Sequence, residues 1–207
     1  MEKQFGNFDN KDAFIQEVKE YLLRHDCKEI YEHSLNVAHV AERLCKQYNI
    51  DANEGFIAGM LHDIGGVYPN NKRLEVAKEM NLDLFNEEIE LPMIIHQKIS
   101  TILAEQQFGI TKHSILDAIQ CHSTLRKNYT VIDLVLFLAD KIEWDQQGTP
   151  PYLEKLLKQL ESSLEEAALY YINYIINNNI KVFHPWLVEG KSQLENKIKK
   201  EEFLLKN

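Results

Sequence analysis

Only 8 glycines and 5 prolines interrupt 207 residues, and they fall between segments whose apolar residues recur with helical spacing. No strand pattern competes, so the chain is expected to be all-α. The spacing predicts helices over about 11–24, 30–48, 52–63, 71–80, 93–108, 112–122, 130–143, 151–178 and 186–205, joined by short loops. No repeat or low-complexity linker divides them, and a chain of this length can close its own core without disulfides, so one domain over 1–207 is expected. Gly65-Gly66 directly follows His62-Asp63, and a glycine in the left-handed conformation is expected to end that helix.

The composition, 44% hydrophobic and 27% charged, is that of a soluble globular protein. A formal charge of −9 repels polyanions at long range and argues against broad nucleic-acid binding, so an anionic substrate needs a local positive site, which bound cations can create. Cys27, Cys45 and Cys121 are far apart and form no CxxC pair, which suggests reduced thiols and neither a disulfide framework nor a thiolate zinc site. The start MEKQFGNFDN lacks a basic, then apolar leader, and the longest apolar run, Leu134 to Ala139, cannot span a bilayer. A cytoplasmic protein is expected.

The histidines divide by helix face. A ring on an apolar face has to be hydrogen-bonded or metal-bound to justify its burial. His33 shares a stripe with Val37, Val40 and Leu44; His96 precedes Ile99 and Leu103 after Pro92; His122 follows Ile115 and Ile119; His62 ends the apolar segment Ile57–Leu61. His39 and His113 fall on other faces, and His25 and His184 belong to no stripe. Asp63 and Asp140 end nearly all-apolar helices, where a charge has to be paired or bound to a cation. Imidazoles with carboxylates form a mixed N/O set suited to Fe, Mn, Ni or Zn, and six ligands exceed the need of one tetrahedral ion. Two ions bridged by Asp63 would use them all.

His33, His62-Asp63 and Asp140 resemble the H…HD…D signature of the HD-domain metal-dependent phosphohydrolases over about residues 30–145. The fold implied is a helical HD bundle with additional C-terminal helices over about 151–207. His96 and His122 resemble the two histidines that let some of its members hold a dinuclear centre, commonly iron. The resemblance implies His33, His62, Asp63 and Asp140 on one ion, and Asp63, His96 and His122 on the second. More narrowly, EHSLNVA (32–38), AGMLHDIGG (58–66) and FLADKIE (137–143) are similar to the YqeK-type proteins, associated with symmetrical cleavage of diadenosine tetraphosphate to ADP. The chain departs from that family at Gln97, where glycine is usual. It reads His122-Ser123-Thr124-Leu125 for HTTG, and Trp144-Asp145-Gln146 for P-x-R.

The expected activity is therefore metal-dependent hydrolysis of a nucleotide or dinucleoside polyphosphate. Asp63 is the central catalytic residue. Lys98, Arg126 and Lys141, each within four residues of a candidate ligand, are candidate phosphate contacts, with Lys141 and then Arg126 preferred. Alternatives are a nucleotidase or other phosphomonoesterase, a non-catalytic nucleotide- or iron-binding sensor, and di-iron oxygen chemistry. The aromatic segment Leu169–Ile176 reads as core packing, with a homodimer surface as the alternative.

Overall fold

The computed structural model describes residues 10–144, 148–178 and 180–205. Among them there are helices and no strand: α1 (Lys11–Arg24), α2 (Lys28–Gln47), α3 (Ala52–Leu61), α4 (Arg73–Glu79), α5 (Asn86–Glu90), α6 (His96–Phe108), α7 (His113–Cys121), α8 (Val131–Ile142), α9 (Leu153–Leu160), α10 (Leu164–Asn177) and α11 (Pro185–Leu205). Short 3-10 turns cover Ile64–Val67, Asn70–Lys72 and Pro92–Ile95. The starts follow local capping chemistry. Asn10, Asp51, Thr130 and Ser163 each accept a backbone N–H of the first turn through a side-chain oxygen.

α3 and α8 are the central helices. Residues 55–61 of α3 and 132–139 of α8 are buried throughout, as expected for helices surrounded by neighbours. α3 and α8 pack on each other and each on α2 and α7, and α6 lies against α7. Close approach of α2 to α3 depends on Gly59, where a Cβ would come within 2.5 Å of the Ala38 Cα. Beyond the central group, α10 packs on α8, α9 and α11.

Three sequence expectations are corrected. The single helix expected over 151–178 is two helices, broken at 161–163 where Ser163 caps α10, and the short α5 was not anticipated. Gly65 and Gly66 are not left-handed; they continue as a 3-10 turn, and helices end instead on Asp26, Asn49, Asn81 and Gly109 at positive φ. Gly65 serves close packing, since a Cβ there would sit 2.5 Å from the His96 carbonyl oxygen. Its N–H donates to Ser100 Oγ at 2.9 Å, tying the turn to α6.

His184, which belongs to no apolar stripe, is buried at 1% exposure just before α11. Its Nε2 lies 3.4 Å from Glu88 on α5, and Glu88 is bridged to Lys98 of α6 at 2.7 Å. Phe85 and Trp186 pack around this triad. Burial pushes the Glu88 pKa up, but His184, Lys98 and the Phe85 N–H outweigh it and hold the carboxyl below its ordinary value.

Candidate metal centre

The fold brings together all six residues expected as metal ligands, although they are spread over α2, the end of α3, α6, α7 and α8. His33 reaches inward from α2, its Nε2 3.2 Å from Asp140 Oδ1 near the end of α8. His62 is the residue on which α3 ends, and Asp63 follows it into the 3-10 turn. His96 opens α6, and His122 ends α7. Asp63 Oδ1 is the common neighbour, 3.1 Å from His96 Nε2 and 3.5 Å from His122 Nε2. Three overlapping trios lie within metal-sharing distance: His33, His62 and Asp63; His62, His122 and Asp140; Asp63, His96 and His122.

The donor atoms are aimed by backbone. Nδ1 of His62, His96 and His122 faces the carbonyl three residues earlier, on Gly59, Met93 and Ile119, at 2.7, 2.5 and 2.8 Å. A carbonyl only accepts, so these bonds place the proton on Nδ1 and leave the Nε2 lone pair turned into the cluster. His96 Nε2 and His122 Nε2 then face each other at 2.9 Å as two acceptors. His62 Nε2, fully buried, has no hydrogen-bond partner, since Asp140 at 3.6 Å and Asp63 at 3.8 Å are too distant. Converging lone pairs, an orphaned buried nitrogen and two carboxylates fit a divalent transition metal, which would satisfy all of them.

Electrostatics agree with that chemistry at Asp63, Asp140 and His122, and run the other way at His62. Burial raises the pKa of Asp63 and Asp140, but the opposing influence is larger: His62 and His96 beside Asp63, and Lys141 with His33 and His62 beside Asp140. Both carboxyls are held well below the usual range and stay ionised. Burial lowers the His122 pKa to about 4, the neutral form that a metal requires. For His62, burial acts downward too, but Asp63 and Asp140 prevail and its pKa is raised.

A cavity of about 490 Å3 opens onto the cluster, lined by Asp63, His96, His122 and Asp140 together with Arg73, Lys141, Trp144 and Tyr171. Of the three candidate phosphate contacts, the structure brings one to this cavity. Lys141 lies there, hydrogen-bonded to Asp140. Arg126 is instead engaged by Asp133, at 2.9 and 3.0 Å, and by Asp117 at 3.2 Å, and does not line the cavity. Lys98 is buried in the pair with Glu88 and donates to the Asp83 carbonyl at 2.6 Å. Proximity in sequence misplaces Lys98 because α6 turns successive residues to different faces, and Arg126 because the loop between α7 and α8 carries it to Asp133 and Asp117.

Arg73, ten residues after Asp63, was missed by that proximity rule. Its Nε donates to the Tyr68 carbonyl at 3.1 Å and its Nη1 to the Met93 carbonyl at 2.8 Å, fixing the guanidinium at the rim. Burial lowers its pKa against the pull of Asp63. The aromatic helix α10 is also reassigned in part: Ile172 is core, while Tyr171 reaches the cavity and packs on Phe137 and Tyr152. His39 and His113 are exposed as expected, and so is His25. Asp145 and Gln146, at the departure from P-x-R, lie outside the described residues. No helix among the described residues is long and apolar enough to cross a membrane.

Comparison with known proteins agrees with the geometry. Residues 30–145 match the HD domain family. A Lactococcus lactis subsp. cremoris protein named "Uncharacterized protein in pepC 5'region" is 52% identical over 149 residues, 72% of this chain and 76% of the relative. A Bacillus subtilis (strain 168) protein named symmetrical bis(5'-nucleosyl)-tetraphosphatase is 25% identical over 193 residues, 87% of this chain and 99% of the relative. A crystal structure from Clostridium acetobutylicum, described as a predicted HD superfamily hydrolase involved in NAD metabolism, superposes with a TM-score of 0.79 at 27% identity, covering 88% of this chain and 97% of that one. These matches make the chain, with its His/Asp cluster on this helical framework, a member of the HD domain family and a hydrolase of the HD superfamily.

Proposed function

We propose that the protein hydrolyses a phosphoanhydride of a nucleotide, with a dinucleoside tetraphosphate such as diadenosine tetraphosphate as substrate and ADP as product. The observation that carries this reading is the convergence of His62, His96 and His122 Nε2 on Asp63 and Asp140 beneath one cavity. His33, His62, Asp63 and Asp140 are assigned to one divalent transition metal and Asp63, His96 and His122 to a second, iron first, with Mn, Ni or Zn as alternatives. When bound, such ions supply Lewis acidity toward phosphoryl oxygens and lower the pKa of water.

The remaining tasks fall to the chain's own residues. Lys141 and Arg73 place positive charge at the cavity wall, where a polyphosphate adjoining Asp63 would carry its greatest negative charge. Arg73 has committed Nε and Nη1 to carbonyls, which leaves Nη2 for an anion in a fixed orientation. Burial lowers the Lys141 pKa, but Asp140 and Tyr171 outweigh it, so the ammonium stays charged. The small-molecule nucleotide fits a cavity of this size, and the acidic surface disfavours a nucleic-acid polymer.

The product profile of metal-loaded protein tests the reading. ADP as the sole product of diadenosine tetraphosphate supports symmetrical cleavage. Release of inorganic phosphate from nucleoside monophosphates, with no turnover of the dinucleotide, would replace it with a nucleotidase.

A further inference from the structure

A second cavity, of about 340 Å3, adjoins the first. The two share Ile30, His33, Asp63, Glu143 and Trp144 in their linings. His33 and Asp63 belong to the metal cluster, so both spaces reach the same centre. What differs is their chemistry. The larger carries Arg73 and Lys141 together with Tyr152 and Tyr171, whereas the smaller adds Glu29, Glu32 and Asn36 and no cation.

Trp144 is the aromatic residue common to both. Its ring centroid lies 5.6 Å from that of Tyr152, which in turn packs on Tyr171 at 4.9 Å, so the indole edges a continuous aromatic wall. The indole Nε1–H is buried and has no hydrogen-bond partner among the described residues. An extended π surface next to cations placed for phosphate matches a nucleobase linked to a polyphosphate. The carboxylates of Glu29 and Glu32 repel phosphate but accept hydrogen bonds from sugar hydroxyls, which suits the second nucleoside of a dinucleotide.

We propose that Trp144 is a nucleobase-stacking, specificity-determining residue and the wall common to two nucleoside chambers that meet at His33 and Asp63. The assignment rests on the nucleotide reading given above. It concerns a position at which this chain departs from the P-x-R pattern of the YqeK-type proteins, and so is a property of this chain.

Calorimetric titration of the metal-loaded protein with ADP and with inorganic tripolyphosphate tests it, comparing wild type, Trp144→Ala and Trp144→Phe. Loss of base stacking in Trp144→Ala should weaken ADP by about tenfold and leave tripolyphosphate within about twofold. Trp144→Phe, which keeps a ring but no donor, should recover most of the affinity. Saturation should approach two ADP per chain. ADP binding unchanged in Trp144→Ala, or an equal loss for tripolyphosphate, would overturn the stacking role; one ADP per chain would overturn the second chamber. ADP binding that depends on Trp144 in a protein unable to cleave the dinucleotide would retire the proposed reaction while supporting this site.

Discussion

The backbone N–H of Ser123 donates to the Gln97 side-chain oxygen at 3.2 Å, joining the residue after one candidate metal ligand, His96, to the residue after another, His122. Thr124 Oγ1 approaches the same fully buried amide, at 3.4 Å from Nε2 and 3.5 Å from Oε1. Glutamine at 97, where the YqeK-type pattern has glycine, thus ties the start of α6 to the loop after His122. Gln97→Gly should remove the acceptor and place glycine in the first turn of α6. A loss of about 2–4 kcal/mol is expected, read as a melting temperature lower by about 5–10 °C.

Asp63 adjoins His62, His96 and His122, so Asp63→Ala should abolish turnover and most metal retention. His39→Ala and His113→Ala, on exposed rings, should leave both nearly intact. Chelator should lower the melting temperature of wild type, by linkage worth about 2.7 kcal/mol when free metal is at 100 times its dissociation constant, and should leave Asp63→Ala almost unmoved. Equal losses of activity at all three positions would contradict the assignment of the cluster.

Lys141 and Arg126 should separate function from stability. Lys141→Met, at the cavity, is expected to lower kcat by at least tenfold with metal content retained. Arg126→Ala is expected to leave kcat near wild type and to cost stability, because buried Asp133 loses its partner and only the Thr130 contacts remain. Kinetics and thermal unfolding of the two variants decide the point.

The Glu88 triad gives a pH signature away from the metal cluster. The carboxyl pKa is held below its ordinary value of 4.5, so its contribution is present above that pH and is lost as pH falls through the folded value. Glu88→Gln leaves Lys98 buried without its carboxylate, at a cost of about 3–5 kcal/mol at neutral pH. The difference between wild type and variant should shrink below about pH 4.5. Urea denaturation at pH 7 and pH 4 measures it, and a difference independent of pH would contradict the pairing.

The cluster of six candidate ligands is legible in the sequence because each of its members ends or lines an apolar helical stripe, where a polar group is conspicuous. The same logic could not reach Arg73 or His184, whose partners are remote in sequence: Met93 twenty residues away for one, Glu88 for the other. Nor does the pattern of residues reveal Leu125, which adopts a φ of +58° while fully buried. It stands where the YqeK-type pattern has glycine, so the loop keeps a glycine-like backbone at a steric cost of about 1–2 kcal/mol, offset by burial of a leucine side chain. Helix ends were misread for a related reason. Asp and Asn take the left-handed position at three of them, which frees the glycines to serve as contact surfaces.

His62, His96 and His122 are each oriented by a carbonyl of their own helical turn. No substitution in the surrounding wall can remove that partner, because it is main chain. The aim of these three nitrogens is therefore insulated from drift in their neighbours, and cavity-lining residues such as Trp144 and Tyr171 can change without re-aiming the nitrogens beneath them. A lineage built this way can alter its diet while keeping its chemistry.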